Sequence, residues 1–409
     1  MRPLTILIVD DDEISAELRA LVLGAAGHQV EYLTSSIKAM ERLDRDPPDL
    51  LIADIMMPEL DGLELTKRIR QNPRLNDMKI IVMSAKAYEF DRKRAIEMGA
   101  DGFISKSIRI ELLEEQILKI VEDKMTLTYW GVHGTLPVPG AGTIRYGGNT
   151  SCITLEFMSG RMLIFDAGTG IKALSNHLMK LGRPRLEAKI LISHPHWDHI
   201  NALPFFAPLF IPGNEFEILG ATHGDKSMRE LIAAQMDDVY FPITLKEFGA
   251  RVFFRDLRQE TFTIDDTIQI ETLLLSHPGY CLGYRVNFKG RSICYVTDNE
   301  LYFDDHPSFN PKFVADLTRF VSGTDILITD CTYFDAEYRT KIDWGHSCVS
   351  KVVELAHAAK VKSLHLFHHD PDHDDAAIDR KLEAAKTALG AMNSSVECLA
   401  PAEGGVFLI

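Results

Sequence analysis

Short apolar runs recur along this chain, and one after another they end on a residue that can do chemistry. TILIV is followed by Asp10, Asp11 and Asp12, LLIA by Asp54, IIVM by Ser84 and GFIS by Lys106. Further on, AKILI runs into SHPHWDHI, TLLLS into His277, CYVT into Asp298, ILIT into Asp330 and LHLF into His368. Apolar runs of this length bounded by turns read as strands buried on both faces. The carboxyl ends of such strands are where open α/β sheets build their sites. The pattern therefore constrains the fold and the place of the function together.

Up to about residue 123 the runs alternate strictly with segments of helical period, which predicts a parallel, doubly wound sheet. In ISAELRALVLGAAG, Ile14, Leu18, Leu21, Val22 and Ala25 fall on one face of the helix and are expected to form its packing stripe. A last helix, about Ile108 to Asp123, leads into KMTLT without a flexible Gly/Ser tract. After Tyr129 the texture changes to Gly-rich turns and further β runs, and of fifteen histidines only His28 precedes residue 124. A chain of 409 residues exceeds what one core usually supports. Two domains are expected, residues 1–123 and 124–409.

Composition removes several classes of function. Apolar content of 46% and charged content of 25% are ordinary for a globular protein. Residues 1–123 hold 17 Lys and Arg against 24 Asp and Glu, net −7, within a whole-chain charge of −15. Neither part is the basic footprint that extended nucleic-acid binding needs. The six cysteines show no CxxC pairing, which predicts reduced, buried thiols. Neither a signal peptide nor an apolar stretch of about 18 residues is seen, so a cytoplasmic location without a membrane partner is expected.

Carboxylates converging at strand ends in the first segment repel one another unless a hard, oxygen-loving cation such as Mg²⁺ lies between them. A carboxylate beside Mg²⁺ can attack a phosphoryl donor while the metal and a lysine offset the developing charge. In LIVDDDE, LIADIMMPELDG, VMSAKA and GFISKS, residues 1 to about 123 resemble the response-regulator receiver domain, with Ser107 where that family usually has proline. The resemblance implies a flavodoxin-like domain phosphorylated on Asp54 by a sensor histidine kinase or phosphotransfer protein. Asp10, Asp11, Asp54 and Met56 would lie at the Mg²⁺ site, Lys106 at the phosphoryl group, and Ser84 and Phe103 at the switching face.

Imidazoles and carboxylates are the ligands that Zn²⁺, Mn²⁺ and Fe²⁺ prefer. In H-x-H-x-D-H, His194 and His196 can reach one metal while Asp198 and His199 turn toward a second. His277 is expected to complete the first set, His368 the second, and Asp298 to bridge them. His365, His369 and His373 are expected to be strand, supporting or loop residues. From about Thr126 to Ile409 the chain resembles the metallo-β-lactamase fold, an αββα sandwich, through this motif, FDAGTG with Asp166, and WGVHGTLPVPG…RYGGNTSC. Within that fold it is similar to the phosphodiesterase branch that includes tRNase Z and cyclic-phosphodiester hydrolases. TDCT (Asp330) and GHSC (His346) resemble that branch's pairing of an acid with a catalytic histidine.

The resemblances together imply a response regulator whose output domain hydrolyses a small phosphodiester, a cyclic nucleotide or dinucleotide before tRNA. Two cations roughly 3.5–4 Å apart can hold and acidify a bridging water for attack at phosphorus. His346, oriented by Asp330, would protonate the leaving alkoxide or bind the phosphate. Phosphorylation of Asp54 would act through access to the cleft or through dimer packing around it, which counts a homodimer among the assemblies. The segment HGDKSMRELIAAQMDDVYFPITLKEF is expected to lid the cleft, with Met236, Tyr240 and Phe241 either packing in the lid or touching a base. A glyoxalase II-like thioesterase and a non-catalytic, metal-stabilised output module are the alternatives.

Overall fold

The computed structural model describes residues 3–75, 78–85, 89–121, 125–157, 160–182, 185–237, 239, 242–264 and 267–409. One compact unit comprises Met1–Met125 with Phe157–Arg161, the other Thr126–Glu156 with Met162–Ile409. The expected boundary after residue 123 lies outside the described residues, as do Tyr240 and Phe241. No described helix is long and apolar enough to cross a membrane, and all six cysteines are free and buried.

In the first unit five strands, β1 (Thr5–Val9), β2 (Gln29–Leu33), β3 (Leu50–Asp54), β4 (Lys79–Ser84) and β5 (Gly102–Ser105), form one sheet in the order β2-β1-β3-β4-β5. Every pairing is parallel. Because side chains alternate across a strand, the apolar runs feed two separate cores. Leu7, Val9, Leu51, Ala53 and Val82 pack on one face with Leu63 and Ile69. Ile6, Ile8, Leu50, Ile52 and Met83 pack on the other with Ala16, Leu23, Leu113 and Ile117.

The first helix, Glu13–Ala25, starts at Asp12, whose carboxylate accepts from the main-chain N–H groups of Ile14 and Ser15. Its expected packing stripe is corrected. Ile14, Leu18 and Leu21 are 79%, 52% and 65% exposed, whereas Ala16, Arg19 and Leu23 are buried. Small Ala16 lets the helix approach the sheet, and the Arg19 stem covers apolar surface while its guanidinium reaches Asp10. An ion pair at the sheet edge thus overrides the apolar periodicity. The last helix of the unit runs Leu113–Val121 after a 3₁₀ turn, Ile110–Leu112.

The second unit holds two seven-stranded sheets. The first orders β11 (Arg251–Leu257), β10 (Glu215–Ala221), β9 (Glu187–Ile192), β8 (Met162–Phe165), β7 (Cys152–Phe157), β6 (Met125–Gly131) and β19 (Val406–Leu408). The second orders β12 (Thr261–Ile264), β13 (Ile268–Leu274), β14 (Leu282–Phe288), β15 (Arg291–Val296), β16 (Ile326–Asp330), β17 (Ser363–Phe367) and β18 (Glu397–Leu399). Buried aromatics join the sheets: Tyr284 OH donates to Ile192 O, Tyr295 OH donates to Asp166, and Phe165 lies 5.3 Å from the Tyr295 ring. Helix Gly170–Leu181 packs outside the first sheet, and Pro311–Val321, Val349–Ala358 and Asp375–Ala391 outside the second. The architecture is an αββα sandwich.

Topology then fixes where the polar residues fall. β8 and β9 are parallel, as are β15, β16 and β17. Residues at or just beyond the ends of these strands, including Asp166, His194, Asp298, Asp330 and His368, therefore emerge along common sheet edges.

Candidate metal centres

In the first unit, carboxylate oxygens of Asp10, Asp11 and Asp54 lie within 4.8 Å of one another. Asp10 and Asp54 are buried and Asp11 is exposed. Lys106 Nζ sits 2.8 Å from Asp10 Oδ2 and 3.0 Å from Asp54 Oδ2, and Arg19 Nη1 is 2.9 Å from Asp10. Burial raises the Asp54 carboxyl above its ordinary pKa, outweighing the nearby Lys106 ammonium. Ser84 is buried at the end of β4 and Met56 is exposed. The loop after Lys106 is tied by Ser107, whose N–H donates to Ser105 Oγ at 3.2 Å.

In the second unit, ligand atoms of His194, His196, His277 and Asp298 lie within 4.8 Å of one another, and so do those of Asp198, His199, Asp298 and His368. Asp298 belongs to both sets. Its Oδ2 is 3.6 Å from His194 Nε2 and 3.7 Å from His277 Nε2, while its Oδ1 is 3.1 Å from both His199 Nε2 and His368 Nε2. Asp198 Oδ2 completes the second set, 3.1 Å from His199 Nε2 and 3.2 Å from His368 Nε2. His369 is buried but turns to His133, ring centroids 5.8 Å apart, and His365 bonds Tyr129 OH.

This donor set fits divalent cations. His194 Nε2 is buried with no hydrogen-bond partner among the described residues, a costly state for a polar atom that no cation meets. Burial pushes His194, His196 and His277 down, keeping them as neutral imidazoles. Burial would raise Asp298, but the charge of the neighbouring His368 and His199 outweighs it and holds its pKa well below the ordinary carboxylate range.

A second layer orients the ligands. His199 Nδ1 donates to Asp166 Oδ2 at 2.7 Å, and Ser193 donates to the same carboxylate through both Oγ and its N–H. His277 Nδ1 donates to Gly345 O at 2.8 Å, and Thr332 Oγ1 lies 3.2 Å from His368 Nδ1. Such partners fix which ring nitrogen is free to bind. Asp166, Asp298 and His368 adopt φ of 59°, 31° and 57°. A non-glycine residue there costs roughly 1–3 kcal/mol and persists only where the surrounding structure fixes it. Two glycines are required by space: a Cβ on Gly134 would fall 2.0 Å from His368 Cε1, and one on Gly345, at φ +86°, 2.3 Å from His277 Nδ1.

Beside the second set, His346 Nδ1 donates to buried Asp330 Oδ2 at 2.7 Å, and its ring stacks on His368 with centroids 4.9 Å apart. Burial lowers His346, but the contact with Asp330 more than reverses this and pushes its pKa up to about 9. Ser347 bonds Asn299 O and the Leu301 N–H, and Cys348 takes the N-cap position of helix Val349–Ala358. Met236 is 2% exposed, which makes it a packing residue.

Sequence reasoning missed Glu300 and Arg19. Glu300 is 2% exposed and accepts from Tyr338 OH, the Asp343 N–H and the Gly345 N–H. Its position two residues after Asp298, in a run that continues into LYF, was the available signal.

Comparison with known proteins agrees with both units. Residues 161–369, just over half of the chain, match the family described as "Beta-lactamase superfamily domain", and residues 6–118 match "Response regulator receiver domain". The chain belongs to the β-lactamase superfamily, joined to a response-regulator receiver domain. Response regulator MprA of Mycobacterium leprae is 36% identical over 112 residues, 27% of this chain and 48% of that protein. The alkaline phosphatase synthesis transcriptional regulatory protein PhoP of Bacillus subtilis is 35% identical over 101 residues, 25% of this chain and 41% of that one. The chain thus spans about half the length, or less, of these curated relatives. The crystal structure of the metallo-β-lactamase fold protein YhfI from Bacillus subtilis superposes with a TM-score of 0.52 at 18% identity, covering 70% of this chain and all of that one, a likeness of fold.

Proposed function

We propose that this chain is a response regulator, with a receiver domain over residues 1–123 and a two-metal phosphodiesterase domain over residues 124–409. One observation carries the hydrolase reading: Asp298 is common to two complete ligand sets, with the Asp330–His346 pair against the second. Two Zn²⁺, Mn²⁺ or Fe²⁺ ions held there would acidify water and neutralise charge on a phosphoryl group.

The protein's own residues do the rest. His194, His196 and His277 would hold one ion and Asp198, His199 and His368 the other, with Asp298 placed to serve both sets. Asp198 also accepts from the Thr135 N–H at 2.8 Å, which fixes its carboxylate. Asp330 engages Nδ1 of His346 and leaves Nε2 to deliver a proton to the departing oxygen. That proton favours phosphodiester over thioester hydrolysis. A thiolate, of pKa about 8.5, departs readily near neutral pH without a proton, whereas an alkoxide is far more basic and needs one.

In the receiver domain, Asp10, Asp11 and Asp54 would hold Mg²⁺, with the main chain at Met56 as a further oxygen donor, since Mg²⁺ prefers oxygen to a thioether. Asp54 accepts the phosphoryl group from a sensor histidine kinase or phosphotransfer protein. Lys106 steadies that group, Ser84 responds to it, and hydrolysis changes in consequence.

The test is turnover by the metal-loaded protein of cyclic mononucleotides, cyclic dinucleotides and precursor tRNA, with and without beryllofluoride as the aspartyl-phosphate mimic. Cleavage of a cyclic substrate at a rate that beryllofluoride alters is expected. Turnover of S-lactoylglutathione with none of any phosphodiester would replace this reading by the thioesterase.

A further inference from the structure

Two of the chain's three tryptophans stand out in solvent, Trp197 at 79% and Trp344 at 58% exposed. Both are built into the metal centre's own segments. Trp197 lies between ligands His196 and Asp198, and Trp344 precedes Gly345, the residue that accepts the His277 Nδ1 hydrogen bond. Tyr280, 57% exposed at φ +60°, follows Gly279, whose added Cβ would come 3.5 Å from His196 Nε2. A large ring left in water forgoes the apolar burial that normally stabilises it.

The main chain on either side of Trp344 is also tied by hydrogen bonds. Glu300 accepts from the N–H groups on either side of it, Asp343 at 2.8 Å and Gly345 at 2.7 Å. Lys341 Nζ lies 4.4 Å from the indole centroid and 5.4 Å from that of Tyr333, whose ring is 6.0 Å from His346. The loop thus exposes an indole plane two residues before the proton donor, with an ammonium over its ring. Such a plane matches a flat, polarisable group.

We propose that Trp344 is the platform on which the nucleobase of a nucleoside phosphodiester substrate stacks, with Trp197 and Tyr280 at the rim of the same cleft. The inference rests on the phosphodiesterase reading and sharpens it. Substrates are selected for an aromatic base by stacking, which tolerates every base because each has a π face. An aliphatic phosphodiester of equal charge gains nothing from this residue.

The experiment compares kcat/KM of the full-length, metal-loaded protein on thymidine 5′-(4-nitrophenyl phosphate) and methyl 4-nitrophenyl phosphate, which share a leaving group and differ in the base. The ratio of the two values should fall about 5- to 150-fold in Trp344→Ala, mainly through KM, and recover most of the way in Trp344→Phe. A ratio within twofold of the parent in Trp344→Ala would overturn the inference while leaving the phosphodiesterase intact, as would binding of lipid vesicles or a protein by Trp344 with that ratio unmoved. Hydrolysis of neither ester by the parent protein would remove the phosphodiesterase reading and this inference with it.

Discussion

At the scale of single residues, Asp298 concentrates the account, because one side chain closes both ligand sets. Asp298→Ala is expected to bind fewer than two metal ions per chain by elemental analysis and to lose phosphodiester turnover by on the order of 10³-fold or more. Asp166 acts one layer out, through His199. Asp166→Asn should weaken metal binding about 10- to 100-fold, measured by competition with a chelator, while the ligands themselves stay in place. Lys381 makes a different kind of prediction. It is fully buried, donates to Cys331 O and Thr332 O, and burial pulls its pKa down to about 8. Below pH 8 the ammonium is present in both folded and unfolded chains, and its burial penalty is felt in full. As pH climbs from 8 toward 10.5 the folded state sheds the proton first, so stability rises, by at most about 3 kcal/mol. The urea midpoint of metal-free protein should show that rise relative to Lys381→Met. Parallel profiles for the two proteins would contradict it.

At the scale of elements, strand ends were legible and helix faces were not. Every short run that ends on Asp54, Asp298, Asp330 or His368 is a strand or leads directly out of one, because a fully buried strand must be apolar throughout and can change character only where it leaves the sheet. Pairings across the sequence, such as His346 with Asp330 or His277 with Gly345, carry no periodic signal, and the first was legible only through resemblance. Glu300 escaped because two of its three partners are main-chain N–H groups, which a sequence does not display. The first helix misled for a definite reason. Ile14, Leu18 and Leu21 have apolar spacing, yet Arg19 must reach Asp10, and that fixes the helix rotation. Leu18→Lys should therefore change unfolding free energy by less than about 0.5 kcal/mol, whereas Leu23→Ala should cost roughly 2–5 kcal/mol in chemical denaturation. Equal losses from the two substitutions would restore the apolar stripe as the packing face.

At the scale of the whole molecule, the proposed function puts a phosphoryl-accepting site and a two-metal site in one polypeptide. Acetyl phosphate is expected to change phosphodiester turnover of the parent protein and to have no effect on Asp54→Ala, followed in the same assay. A donor effect that survives in Asp54→Ala would break the link between the two sites. A competent two-metal hydrolase comes before any regulation of it. It is tested most directly by titrating metal-free protein with Mn²⁺ or Zn²⁺ while following bis(4-nitrophenyl) phosphate hydrolysis. The account predicts that turnover appears as the second equivalent per chain binds and is lost in Asp298→Ala; full activity at one equivalent, or none at two, would contradict it.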